Sequence, residues 1–142
     1  MRSFVKKLLG SNEPGTAAVP PALAPDRRLY CVGDIHGRLD LLQNLHGMIE
    51  DDARDYAGHK VVVYLGDYID RGEQSREVID HLLDSPLPGF ETVHLLGNHE
   101  QTMLDFLEHP KAVASWLTFG GRACLASYGV EVGLNSKYNE IN

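Results

Sequence analysis

Three short apolar runs alternate with longer amphipathic segments along the chain. The runs cover residues 29–33, 61–66 and 92–97, and each of them ends at a glycine. Continuous apolar runs rich in β-branched residues are typical of strands that are buried on both faces, as in a parallel sheet. The pattern therefore predicts three buried parallel strands.

The segments that follow these runs carry apolar residues at helical spacing. The first stripe is Leu41, Leu42, Leu45, Met48 and Ile49, the second is Val78, Ile79, Leu82 and Leu83, and the third is Met103, Leu104, Phe106 and Leu107. A last helix either runs through Val113, Trp116 and Leu117 or restarts near Leu125. The order βαβαβα with right-handed crossovers predicts an α/β fold, in which ligands bind beyond the carboxyl ends of the strands.

Both ends of the chain lack such periodicity. Residues 11–26 contain four prolines, so we expect residues 1–27 to form a flexible segment. Residues 28–130 are expected to fold as one domain, and residues 131–142 are expected to form a polar tail.

Charge and cysteine content narrow the functional classes. The net charge is −7, with +3 in residues 1–30 (five basic, two acidic) and −10 in the remainder (eight basic, eighteen acidic). An acidic body argues against nucleic-acid binding and is compatible with cation binding. Two distant cysteines, a short apolar stretch after the basic N-terminus and the lack of any long apolar run predict a cytoplasmic protein without disulfides or a membrane segment.

Polar residues that suit metal binding follow each predicted strand. The three segments are GDIHGR at 33–38, GDYIDRG at 66–72 and GNHE at 97–100. Taken alone, each segment could be a turn or a helix cap. Three of them at three successive strand ends favour a shared site.

The donor types indicate which ions would bind. Asp34 and His36 can hold one ion together, Asp67 can supply an oxygen to each of two ions, and Asn98 can bind the second. Mixed nitrogen and oxygen ligands suit Mn, Fe or Zn better than Ca.

The three segments together resemble the signature blocks of the phosphoprotein phosphatases, within the calcineurin-like metallophosphoesterases. The stretch from Trp116 to Gly129 is similar to bacterial members of that family. The resemblance implies the N-terminal half of a metallophosphoesterase α/β sandwich with two divalent cations, Mn by preference and Fe or Zn as alternatives. It also implies that His99 is the general acid, that Asp70 orients it and that Arg71 binds the phosphate. The implied reaction is hydrolysis of phosphoserine or phosphothreonine in proteins by a metal-bound hydroxide at a dinuclear site.

The chain also departs from this family. The resemblance calls for two further histidines and a second arginine from the carboxyl half of the domain, whereas only His109 follows Glu100. We therefore expect a truncated domain with an open apolar sheet face and a weak second metal site. The alternatives are a diadenosine-polyphosphate hydrolase of the same superfamily and an inactive remnant. Asp70 and Glu100 favour the protein phosphatase over the diadenosine hydrolase.

Other conspicuous residues have structural interpretations. Trp116 and Phe119 are expected to pack in the core rather than to contact substrate. His46, His59 and His81 are expected on polar faces or in loops.

Overall fold

Three parallel strands form the centre of the molecule. The computed structural model describes residues 24–84, 87–111 and 114–132. The strands are β1 (Arg27–Val32), β2 (His59–Tyr64) and β3 (Glu91–His94), and β2 lies in the middle of the sheet. The predicted parallel sheet is therefore confirmed. Most of both predicted terminal segments lies outside the described residues, so the domain limits stay predictions.

Helices follow every strand, as the apolar stripes predicted. They are α1 (Leu39–Ala53), α2 (Ser75–Leu83), α3 (Asn98–Glu108), a 3₁₀ turn (Ala114–Thr118) and α4 (Gly121–Ser127). The chain thus restarts a helix near Leu125, which was one of the two alternatives for its last part. Helix α3 begins directly in the third polar segment, before the first residue of its apolar stripe.

One face of the sheet carries the core. The strand order β1–β2–β3 combined with right-handed crossovers places α1 and α2 on the same face. Val62 and Tyr64 of β2 point to that face, and each is 0 % exposed. Tyr64 is fixed there by a hydrogen bond of 2.9 Å between its hydroxyl and Nε2 of His46 in α1.

The opposite face is open within the described part of the chain. Leu29 is 38 % exposed and Cys31 of the same strand is exposed, although Val61 of the central strand is buried. The prediction of strands buried on both faces was therefore wrong for β1 and β3, in which nearly all residues are exposed or half-buried. Leu29 and Cys31 are thus exposed on this face, whereas Val61 is buried and Val63 is half-buried, and the expected open apolar face stays a prediction.

The buried face of helix α1 shares Leu42 and Ile49 with the predicted stripe but is rotated relative to it. Its buried residues are Leu42, His46, Ile49 and Ala53. Exposure reaches 52 % at Leu41 and 68 % at Met48. His46 is thus a core residue rather than a surface histidine, because it occupies a helical position in line with Leu42 and Ile49.

The chain after α3 contributes three more core residues, Trp116, Leu117 and Cys124. Trp116 is 1 % exposed, as predicted, whereas Phe119 is 68 % exposed, so its predicted packing was wrong.

Among the helices of the described residues, none combines the length and the apolar character needed to cross a bilayer.

Candidate active site

The loops that follow β1 and β2 are joined by backbone hydrogen bonds. The backbone N–H groups of Ile35 and His36 both donate to the carbonyl oxygen of Asp67, at 3.0 and 2.9 Å. The N–H of Gly37 donates to the carbonyl of Tyr68 at 2.8 Å. The first two polar segments are therefore parts of one structure at the carboxyl ends of the strands.

Left-handed backbone conformations are concentrated in these two loops. Among the described residues, the non-glycine residues with positive φ are His36 (46°), Asp67 (54°), Asp70 (72°) and Arg71 (65°). Such conformations cost roughly 1–3 kcal/mol each and cluster at functional sites. All four residues were candidates for metal binding or catalysis on the basis of the sequence.

Glycine is required where the loops approach each other. A Cβ at Gly37, which has φ of +62°, would lie 2.7 Å from the carbonyl oxygen of Gly72. A Cβ at Gly97 would collide with the carboxylate of Asp67 and with Glu100. Gly37 and Gly97 therefore allow the loops to pack at distances that any side chain would prevent.

Glu100 joins the third segment to the second. Its carboxylate is buried and accepts the backbone N–H groups of Asp67 (2.8 Å), Tyr68 (2.8 Å), Ile69 (3.3 Å) and Gly97 (3.0 Å). Four charge-assisted hydrogen bonds hold the left-handed turn at Asp67 in place. This role of Glu100 was not predicted from the sequence, because its partners in the second segment lie more than 30 residues away.

Three of the side chains form a group that can hold a cation. Ligand atoms of His36, Asp67 and His99 all lie within 4.8 Å of one another. Nδ1 of His36 donates to the carbonyl of Ile69 at 2.8 Å, which leaves Nε2 as the free ligand atom. That Nε2 is buried and has no hydrogen-bond partner among the described residues. A divalent cation bound between Nε2 of His36 and the carboxylate of Asp67 would give this buried nitrogen a partner.

The two remaining predicted ligands, Asp34 and Asn98, are exposed. Oδ2 of Asp34 is 3.6 Å from Nε2 of His36, and the Asp34 side chain is 69 % exposed. Asn98 is exposed and is the first residue of α3. Its neighbour His99 donates its backbone N–H to Oδ1 of Asp67 at 3.0 Å, which places the start of α3 at the site.

The expected hydrogen bond between Asp70 and His99 is present. Nδ1 of His99 donates to Oδ2 of Asp70 at 2.7 Å, and both residues are buried. Nη2 of Arg71 lies 3.3 Å from Nε2 of His99. Nε2 of the imidazole therefore accepts a hydrogen bond from the guanidinium group of Arg71, beside the metal-binding group.

The carboxylate of Asp70 also interacts with Cys124 and Trp116. Burial and then the negative charge of Asp70 raise the pKa of Cys124 to about 11. The indole N–H of Trp116 donates to Oδ2 of Asp70 at 2.6 Å. The sequence predicted packing alone for Trp116, and only the resemblance of residues 116–129 to bacterial family members could have pointed to this hydrogen bond.

Comparisons with known proteins agree with this geometry. Calcineurin-like phosphoesterases match residues 27–141. Serine/threonine-protein phosphatase 2 of Escherichia coli is 38 % identical over 96 residues, which are 67 % of this chain and 39 % of that protein. Serine/threonine-protein phosphatase BSL2 of Arabidopsis thaliana is 30 % identical over 105 residues, which are 72 % of this chain and 10 % of that protein.

A solved structure is also similar. The crystal structure of a mutant cold-active protein tyrosine phosphatase aligns with a TM-score of 0.43 and 28 % identity, over 75 % of this chain and 36 % of that one. The chain thus spans less than two fifths of the length of these relatives. The match over residues 27–141 includes all three polar segments, and the chain belongs to the calcineurin-like phosphoesterase family.

Proposed function

We propose that this chain carries the cation-binding and proton-donating part of a phosphomonoester hydrolase. One observation carries the proposal. The Asp70–His99 pair and Arg71 converge on the same space as the group formed by His36, Asp67 and His99. A proton donor, an anion-binding cation and metal ligands at one site are the groups that phosphoester hydrolysis needs.

Divalent cations would be held by the residues that sequence analysis selected. His36 and Asp67 form the buried part of the ligand set, and Asp34 and Asn98 form its exposed part. Two cations, with Mn preferred, would stabilise charge on the phosphoryl group and lower the pKa of a bound water.

Phosphate binding and proton donation are assigned to Arg71, His99 and Asp70. The guanidinium group of Arg71 matches the oxygens of a phosphate and would orient it. Nδ1 of His99 is held by Asp70, so Nε2 would donate the proton to the leaving oxygen, once it is protonated and Arg71 has turned from it to the phosphate. The Asp70 carboxylate stabilises the protonated imidazole that this step requires.

Phosphoserine and phosphothreonine in proteins are the proposed substrates. This choice is supported by the names of the two relatives, both serine/threonine-protein phosphatases, and by Asp70 and Glu100 in the polar segments. A diadenosine-polyphosphate hydrolase is the second candidate, because it shares the first and third segments. Cytoplasmic action is part of the proposal and is supported by two free cysteines, Cys31 and Cys124.

A substrate panel tests the proposal. The purified chain with Mn²⁺ is expected to hydrolyse a phosphothreonine peptide faster than a phosphotyrosine peptide or diadenosine tetraphosphate. Arg71→Ala should raise KM, whereas the matched variant Arg54→Ala, at an exposed position after α1, should leave KM unchanged. Faster hydrolysis of the diadenosine substrate would favour the second candidate. Mn²⁺ binding without hydrolysis of any substrate would indicate a non-catalytic remnant.

A further inference from the structure

The carboxylate of Asp70 has an unusual hydrogen-bond arrangement. It is 0 % exposed, and both of its side-chain donors share the single oxygen Oδ2. These donors are Nδ1 of His99 at 2.7 Å and Nε1 of Trp116 at 2.6 Å. Oδ1 has no hydrogen-bond partner in the described part of the chain. The rotation of this carboxylate about its Cβ–Cγ bond is therefore determined by two groups on one atom.

Trp116 is itself held rigidly. Its ring packs against Phe106 with centroids 4.9 Å apart, and the side chain is 1 % exposed. Gly121 lies directly against the indole, since a Cβ there would come within 2.8 Å of three ring atoms. The indole N–H thus points at Asp70 from a buried and closely packed position.

The same stretch of chain also contacts Arg71. The backbone N–H of Arg71 donates to the carbonyl of Gly120 at 3.4 Å, and a Cβ at Gly120 would lie 2.7 Å from that nitrogen. The segment from Trp116 to Gly121 therefore supports the Asp70–Arg71 turn at two points. Trp116 lies 46 residues from Asp70 in the sequence, and its segment is not one of the three polar segments.

We propose that Trp116 is a positioning residue for the general acid. Its indole N–H stabilises the charged carboxylate of Asp70 without being able to give up its proton, and it fixes Oδ2 opposite Nδ1 of His99. His99 Nε2 is thereby held toward Arg71 and the metal ligands. This inference rests on the proposed function for its catalytic consequence, but the hydrogen bond itself can be tested independently of activity.

The first test uses the fact that the chain contains one tryptophan. A ¹H–¹⁵N correlation spectrum of the full chain should show a single folded indole resonance, shifted downfield and slow to exchange with water. Asp70→Asn and His99→Asn should each move this resonance, because they change the acceptor or its second donor. Asp84→Asn, an exposed position after α2, should not. Should Asp70→Asn fail to fold, His99→Asn alone decides.

An indole N–H that exchanges freely with water overturns the proposal. So does a resonance that stays at the same position in every folded Asp70 or His99 variant. These outcomes are read without substrate or metal, so they are independent of whether the chain hydrolyses a phosphoester.

The second test measures the catalytic consequence. Trp116→Phe keeps an aromatic ring and removes the donor, and it should lower kcat by about 10–100-fold with KM and Mn²⁺ content unchanged. In a His99→Asn background the same substitution should have no further effect, since its action passes through His99. An equal loss of kcat in both backgrounds would show a structural role only and would contradict the proposal. Inactivity of the wild-type chain would instead count against the proposed function, and the indole resonance would still decide the present inference.

Discussion

The two sides of the candidate site differ in the burial and hydrogen bonding of their side chains. On the inner side, Asp70, His99 and Glu100 are at most 8 % exposed and share a dense set of hydrogen bonds. On the outer side, the Asp34 side chain is 69 % exposed and Asn98 is exposed. The described residues thus fix the proton donor and Asp67 by themselves, whereas the outer ligands rely on weaker constraints. We infer that the outer side depends more strongly on bound cations for its order.

Loss of the proton donor is the largest effect that this difference predicts. His99→Asn should lower turnover by roughly 10²–10⁴-fold and leave Mn²⁺ content nearly unchanged, because Asp67, His36 and Asp34 remain. Steady-state kinetics and metal analysis check this. The control is His59→Asn at the opposite end of the sheet, where His59 pairs with Glu91. Loss of the metal in His99→Asn would make His99 a ligand instead of an acid.

The hydrogen bonds of Glu100 predict a large effect on stability. Glu100→Gln replaces one acceptor oxygen by an NH₂ group, which faces backbone N–H donors at Asp67 and its neighbours. We expect the free energy of unfolding to fall by about 2–4 kcal/mol. Urea denaturation should show this, with the exposed Glu108→Gln at the end of the same helix nearly unchanged. Equal midpoints for both variants would show that the inner side is not held by Glu100.

The two cysteines report on the inner side and on the open sheet face. Cys124 is buried near Asp70 with a pKa raised to about 11, whereas Cys31 is exposed on the uncovered face of β1. Because the thiolate is the reactive form, a thiol reagent at neutral pH should modify Cys31 at least about 100-fold faster than Cys124. Mass spectrometry of the Cys31→Ser and Cys124→Ser variants distinguishes the two sites. Equal rates in the folded chain would contradict the burial of this region.

The smallest expected effect is a dependence of the folding stability on pH, which comes from buried His46 in α1. Burial and then the neighbouring His81 lower the pKa of His46 to about 4. The unfolded chain therefore binds a proton at higher pH than the folded chain. Stability should be complete above about pH 6.5 and should fall by about 1–3 kcal/mol between there and about pH 4. The difference between the wild-type chain and His46→Gln isolates this contribution, and identical pH profiles would show that His46 does not make it.

The sequence was sufficient to predict the parallel sheet and the grouping of the loops that follow its three strands. Apolar runs ending at glycine located the three strands, and the polar residues that follow them lie together at the carboxyl ends, as the rule for parallel sheets predicts. The bond between Asp70 and His99 followed from the family resemblance. The strands and the grouping of the polar residues depend on local patterns, whereas the pairing of Asp70 with His99 depends on the resemblance.

The remaining features depend on contacts between distant positions. Asp70 and Trp116 are 46 residues apart, and Asp67 and Glu100 are 33 apart, so no local pattern could pair them. The burial of His46 was different, because its spacing from Leu42 and Ile49 was visible in the sequence. His46 was predicted to be exposed because histidine is polar, although its helical spacing from Leu42 and Ile49 placed it on the buried face.

Mn²⁺ titration of the purified chain, followed by electron paramagnetic resonance, tests most directly whether these loops form a metal centre. We predict saturable binding with one site tighter than the other, loss of both sites in Asp67→Asn, and unchanged binding in Asp55→Asn at an exposed position after α1. Binding that is absent, or that survives Asp67→Asn, would contradict the assignment of this site.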